Sequence, residues 1–102
     1  MVNTVVSKRG IPVRLTDERW SHVVEEHSEL AGMLHEVLDA LALPDRILAG
    51  NAGECLAIKA TSTGKSLVVV YRENAAEQDG FVITALLTSH VRSLERRPQL
   101  WP

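Results

Sequence analysis

The four histidines and a scatter of lysines and arginines are the side chains of this sequence that could move a proton or hold an anion near neutral pH. His22 and His27 lie in "RLTDERWSHVVEEH", where Thr16, Asp17 and Glu18 read as a capped helix start. On that helix they stand i, i+5, about 140° apart, and not at the i, i+4 spacing of a helical metal pair. A shared metal is therefore not expected, and no other residues call for a cofactor. His22 falls on the polar side with Glu18, Glu25 and Glu26 and reads as a solvated surface residue. His27 falls on the apolar stripe with Trp20, Val23 and Val24, at the helix end whose partial negative charge favours an imidazolium. It reads as half-buried and hydrogen-bonded to nearby backbone, with a functional contact as the alternative.

A second set of chemistry-bearing residues sits in three β-rich segments, "ECLAIKAT", "SLVVVYRE" and "FVITALLT", separated by turn residues. Side chains alternate along a strand. Leu56, Ile58, Ala60, Leu67, Val69, Tyr71, Phe81, Ile83, Ala85 and Leu87 form an uncharged set that should face the helices. If "STGK" closes the first hairpin so that Lys59 pairs with Val68 and Cys55 with Arg72, the opposite face carries Lys59, Arg72, Thr84 and Thr88 on a floor of Val68, Val70, Val82 and Leu86. His90 and Arg92 join that face if the last strand runs on. Such a groove suits a phosphodiester: a histidine moves the proton, cations stabilise charge developing on phosphate, and hydroxyls orient it. RNA supplies its own 2′-hydroxyl nucleophile, so no metal is required.

The elements that must position these residues follow from period. One helix begins near Asp17. Leu30, Met33, Leu34, Val37, Leu38 and Leu41 recur at helical spacing and predict a second over about 29–42, stopped by Pro44, with His35 solvated and Met33 as core filler. After Asp45 the period shortens, with a short strand over 47–49 leading into the three hairpin-linked segments. The expected fold is α+β: two N-terminal helices packed on one face of an approximately four-stranded antiparallel meander. Trp20, Val24, Leu34, Val37, Leu38, Val69, Tyr71 and Ile83 are its expected core. Residues 1–102 form a single domain, with 1–10 as a loose lead-in and 98–102 as a C-terminal tail, docked through Leu100 and Trp101.

Composition narrows the classes. A chain of 102 residues with 45% hydrophobic and 24% charged residues is ordinary for one globular domain. A net charge of −2 gives no overall attraction to nucleic acid or anionic membrane, so any RNA site must be a local basic patch. Cys55 is the sole cysteine, which excludes an internal disulfide and fits a reducing cytoplasm. No segment reads as a signal peptide or a membrane span.

Taken together, "RLTDERWSHVVEEH", a second helix ending at "PDRI", then "LVVVYRE" and "FVITALLTS" resemble, over about residues 12–97, the small α+β folds of the barnase, EndoU, colicin and RelE nuclease group, with its phage-associated and toxin members. The resemblance implies a metal-independent endoribonuclease, a toxin-type hydrolase working from the open sheet face. It implies Lys59 and Arg72 as the basic sheet residues, Thr84 as the strand hydroxyl, His90 and Arg92 from "TSHVR", and His27 as the histidine at the helix end. Arg72, Lys59, Thr84, His90 and His27 are the catalytic candidates, and Lys59, Arg72, Thr88 and Arg92 the RNA-binding ones. Expected partners are RNA and a cognate protein inhibitor or a second copy of the chain. The alternative is a non-catalytic α+β module that binds a protein partner, or itself, through the apolar sheet face.

Overall fold

The computed structural model describes all 102 residues. It contains β1 (Val2–Val6), β2 (Pro12–Thr16), α1 (Asp17–Glu26), α2 (Leu34–Ala42), β3 (Arg46–Ala49), β4 (Cys55–Ala60), β5 (Ser66–Asn74), β6 (Asp79–Thr88) and β7 (Gln99–Trp101). Single 3₁₀ turns occupy Ser28–Leu30 and Val91–Leu94. The strands form one seven-stranded sheet in the order β1-β2-β6-β5-β4-β3-β7. Only β2 and β6 run parallel, and every other pair is antiparallel.

This corrects the expected four-stranded meander with helices at its N-terminus. The class is α+β, but the sheet is mixed and the two helices sit mid-chain, inserted after a β-hairpin. The stretch read as a loose lead-in is β1, and the start of the helix motif is β2, whose Val13 and Leu15 are buried while Arg14 is exposed. Gly10, at φ +85°, closes the turn between them. The tail forms β7 on the far edge, where Trp101 packs against the main core beneath the Lys8 ammonium, 5.2 Å from the ring centre.

Local chemistry explains the helices. Thr16 caps α1 by accepting the Arg19 N–H at 3.1 Å, and Val23 is the residue of α1 that is wholly buried. The helix expected over 29–42 is broken: Gly32 adopts φ +80° between the first 3₁₀ turn and α2. Leu30 then packs from the turn, and Val37, Ala40 and Leu41 from α2, onto one sheet face. Trp20, Leu34 and Leu38 are partly buried against this core, Val37, Val69 and Tyr71 lie within it, and Val24 and Ile83 stay half-buried at its margin.

Register decides the rest. Cys55 pairs with Tyr71 and Lys59 with Leu67, one residue away from the expected pairing. The hairpin between β4 and β5 encloses residues 61–65, held by the Thr61 N–H to Lys65 O bond at 2.9 Å and by Gly64 at φ +84°. The slip turns Cys55, Ala57 and Lys59 toward the helices, and Leu56 and Ile58 away from them. A β-bulge in β6 follows: Val70 faces Thr84 while Tyr71 faces Val82, leaving Ile83 as the extra residue. Val82 therefore points to the helix face, and Phe81 to the other.

That other face is not bare. The chain leaves β6 at Thr88, whose hydroxyl accepts the His90 N–H at 2.9 Å and ends the strand, so His90 and Arg92 do not continue it. The segment then crosses the sheet toward β7, setting Val91 and Leu94 over Leu48, Leu56, Ile58 and Val68. No helix is long and apolar enough to cross a membrane.

Gly80 marks the tightest point of the sheet, where β2, β5 and β6 meet. A Cβ there would lie 2.7 Å from the Arg72 carbonyl oxygen and 3.2 Å from that of Pro12. Backbone cannot swing aside as a side chain can, so Gly80→Ala should lower stability by about 1–3 kcal/mol. A melting curve that coincides with the native protein's would refute the close approach.

Candidate nucleic-acid interface

The structure distributes the expected site residues over two faces and two ends of the sheet. Lys59 is on the helix face, where its ammonium donates to the Leu43 carbonyl at 2.7 Å. It lines a cleft of about 510 Å³ with Glu29, Glu36 and Asp39, among carboxylates instead of beside Arg72. Arg72 is on the opposite face, donating to the Ala52 carbonyl at 2.8 Å. Thr84 shares that face, opposite Val70, and Thr88 lies opposite Ser66 at the strand's end. His90 and Arg92 lie exposed beyond Thr88. Along β5, the six residue steps from Ser66 to Arg72 separate His90's end of the sheet from Arg72 by about 20 Å. His27 caps α1 on the helix side, with Nδ1 3.7 Å from Glu29. Lys59, Arg72 and His90 therefore do not form one centre. No group of three or more His, Cys, Asp or Glu side chains is arranged to hold a metal ion.

What the open face does assemble is a row of three residues on adjacent strands. Arg14 of β2 pairs with Phe81 of β6, and Phe81 pairs with Arg72 of β5. Val13, Leu15 and Tyr71 are buried in the main core, so the intervening Arg14 and Arg72 must point to the other face, as Phe81 does. Phe81 is 45% exposed, the largest aromatic surface on this face. Asp79 pairs with Arg14 through two bonds of 2.9 Å, and the guanidinium holds the Asp79 carboxyl below the usual carboxylate range. Glu54 is the carboxylate near Arg72 and Arg97, so the two guanidinium groups of the row meet two carboxylates. Beside the row, Arg72, Glu73, Asn74, Ala75, Asp79 and Phe81 border a hollow of about 400 Å³. Sequence reasoning missed Arg14 because "PVRLT" was read as the approach to a helix, and Phe81 because the bulge at Ile83 reverses the parity of that end of β6. The alternation of Pro12 to Thr16 was the available signal for the first.

A second polar cluster lies on the helix face beneath the β1–β2 turn. Arg9 binds the Glu73 carboxylate at 2.7 and 2.8 Å, and Ser7 donates to its other oxygen. Only 5% of the Glu73 side chain is exposed. Arg9 also approaches the Cys55 sulfur at 3.4 Å. The arrangement staples the turn onto β4 and β5, and burial pushes the Cys55 thiol up, so it is held as the neutral, unreactive form. Tyr71, fully buried next to that thiol, has a hydroxyl that makes no hydrogen bond of sound geometry, the weakly bonding Cys55 sulfur being its polar neighbour. This cluster closes the fold and offers a substrate no entry.

No protein-family model, curated protein or solved structure matches this chain.

A buried hydroxyl without a partner carries a desolvation cost of about 1–3 kcal/mol. Tyr71→Phe should therefore leave the melting temperature at pH 7 unchanged or raised. The folded state also keeps the Tyr71 and Cys55 protons to higher pH than the unfolded chain does, with burial as the main cause. Stability from this source is complete below the ordinary thiol value of 9.0 and declines as pH climbs past it and past the ordinary phenol value of 10.0. Tyr71→Phe should flatten the decline above pH 10. Destabilisation by more than about 1 kcal/mol at pH 7 would mean that the hydroxyl is bonded after all.

Proposed function

We propose that this protein binds single-stranded RNA across the Arg14, Phe81 and Arg72 row and cleaves it without a metal ion. The observation that supports the reading is an exposed aromatic ring flanked in register by two guanidinium groups. An unpaired base can stack on Phe81 while the neighbouring phosphates meet Arg14 and Arg72, and such stacking contributes about 1–3 kcal/mol per base. A duplex keeps its bases stacked inside and has nothing to lay on the ring. The 2′-hydroxyl next to a phosphate held this way is the nucleophile, as in any metal-independent RNA cleavage, and a guanidinium stabilises the charge that develops on the phosphoryl oxygens.

The alternative, docking of a protein partner on an apolar sheet face, has less surface to work with. Val91 and Leu94 already occupy the strip over Leu48, Leu56, Ile58 and Val68. What stays open at the other end is the cationic and aromatic row. With a chain charge of −2 the attraction is local, so binding should be weak and should fall with salt at the shallow slope of about two phosphate contacts.

Fluorescence anisotropy with a labelled single-stranded RNA tests the binding, and incubation of total RNA in EDTA tests the cleavage. Phe81→Ala should weaken binding by about 1–3 kcal/mol, roughly 5- to 150-fold. Arg72→Ala should reduce the slope of log K against log salt by about 0.7, the share of one phosphate contact on a single strand. Asp79→Asn should tighten binding, because it frees Arg14 from its carboxylate. Unaltered affinity in folded Phe81→Ala, or weaker binding in Asp79→Asn, would remove the row from the interface.

A further inference from the structure

The row supplies cations and a stacking surface, but its one paired carboxylate, Asp79, is held below the usual carboxylate range by its bonds to Arg14 and is therefore a poor proton acceptor. Of the four histidines, His27 faces Glu29 on the packed side, His35 lies exposed on α2, and His90 lies at the distant end of the sheet. His22 differs from these. Its Nε2 is 2.8 Å from the Glu26 carboxylate one turn along α1. It also lines a hollow of about 310 Å³ with Thr16, Glu18 and Arg19.

From this arrangement the geometry points to His22 as the general base of the RNA cleavage, with Glu26 as its positioning residue and Arg19 as the phosphate ligand. The inference rests on the RNA reading above. Arg19, His22 and Glu26 are spaced i, i+3, i+7 and so share one exposed stripe of the helix. In the neutral imidazole the bond to Glu26 holds the single proton on Nε2 and leaves the Nδ1 lone pair free, which is the form a base must have. The Arg19 guanidinium reaches across to the Ile83 carbonyl at 3.3 Å, which ties the helix to the edge of β6 one residue from Thr84. Glu18 in the same hollow opposes phosphate, so Arg19 is the only cation there that can hold one.

The hollow also lies on the path an RNA strand would take. Thr16, on its wall, follows Arg14 by two residues on the same strand and the same face, a step of about 7 Å. A chain whose base rests on Phe81 can run past Arg14 into this corner. There His22 Nδ1 takes the proton from a 2′-hydroxyl, the 2′-oxygen bonds to phosphorus, and the bond from phosphorus to the 5′-oxygen breaks. The leaving alkoxide takes a proton from water, and the imidazolium returns its proton to the hydroxide formed. The products are a 2′,3′-cyclic phosphate and a 5′-hydroxyl, with no net change in protons and no oxidant, reductant or metal.

The test uses the full chain, a short single-stranded RNA and EDTA, with binding and cleavage measured side by side. His22→Asn should lower kcat by about 10²- to 10⁴-fold while RNA affinity stays within about twofold. Glu26→Gln should lower kcat with KM unchanged, the mark of a group that orients the base without touching RNA. Added imidazole should restore part of the cleavage to His22→Gly, which a purely structural histidine would not allow. Undiminished cleavage by His22→Asn would overturn the assignment and leave the RNA reading standing. A native protein that binds RNA but leaves it intact would overturn the assignment and the cleavage, while the binding surface survives. A protein that neither binds nor cleaves RNA would overturn both readings.

Discussion

An extra residue in β6 sets the geometry on which the open face depends. Val82 and Ala85 both belong to the main core, yet they stand three positions apart, an odd step that a regular strand would send to opposite faces. The bulge at Ile83 absorbs the mismatch, letting Tyr71 and Val82 pair inward while Val70 and Thr84 pair outward. Packing thus has the first claim, and Phe81 is turned outward as its consequence. The same bend brings β6 alongside β2 for only Val13 with Gly80 and Arg14 with Phe81, after which the chain leaves as α1. The arginine row and the His22 hollow are the two sides of that one divergence.

The sheet tolerates this irregular strand because both of its faces are held down elsewhere. On the helix side the β1–β2 turn is fastened by the Arg9 pair with the nearly buried Glu73 carboxylate, and Lys8 reaches Trp101 of the opposite edge strand. The turn after one edge strand thus reaches across the helix face to the other edge strand. Loss of Arg9 would strand a carboxylate in the interior, although its own side chain is 41% exposed. The cost then falls below the roughly 3–5 kcal/mol of a fully buried pair. On the other side the crossing segment uses Val91 and Leu94 to cover four apolar residues that would otherwise be an aggregation surface. Trp101 closes the edge by pairing through β7 with Ile47.

How far the sequence could lead depended on whether a pattern had one solution. The cap at Thr16, the burial of Val37 and Leu41 at helical spacing and the hairpin segments each had a single physical reading, and they lie where the periods place them. β4 did not. Cys55, Leu56, Ala57 and Ile58 are all buried, so both alternation sets are apolar and neither marks a face. Nothing in "CLAIKA" could choose between two registers one residue apart, and the choice carried Lys59 to the far side of the sheet from Arg72. The first hairpin was hidden for a different reason: β1 is an edge strand with only Val5 packed against the core, too little burial to announce itself in five residues. His90 was placed by extending β6 two residues past the point where Thr88 ends it through its own hydroxyl.

Charge then decides what kind of binder the surface can be. The two guanidinium groups of the row stand near the Asp79 and Glu54 carboxylates, in a molecule whose total is −2. Long-range steering of a polyanion is therefore absent, and contacts within about 10 Å, the screening length at moderate salt, must carry recognition. Under those terms stacking on Phe81 outweighs phosphate attraction. A ligand with unpaired bases is favoured over a duplex of higher charge density, and sequence preference would come from the base on the ring. Arg14 must exchange Asp79 for phosphate, so part of each gain in attraction is offset by the bond given up. On the proposed RNA reading, such a surface would select for flexible single strands and release them quickly, which suits turnover better than tight retention.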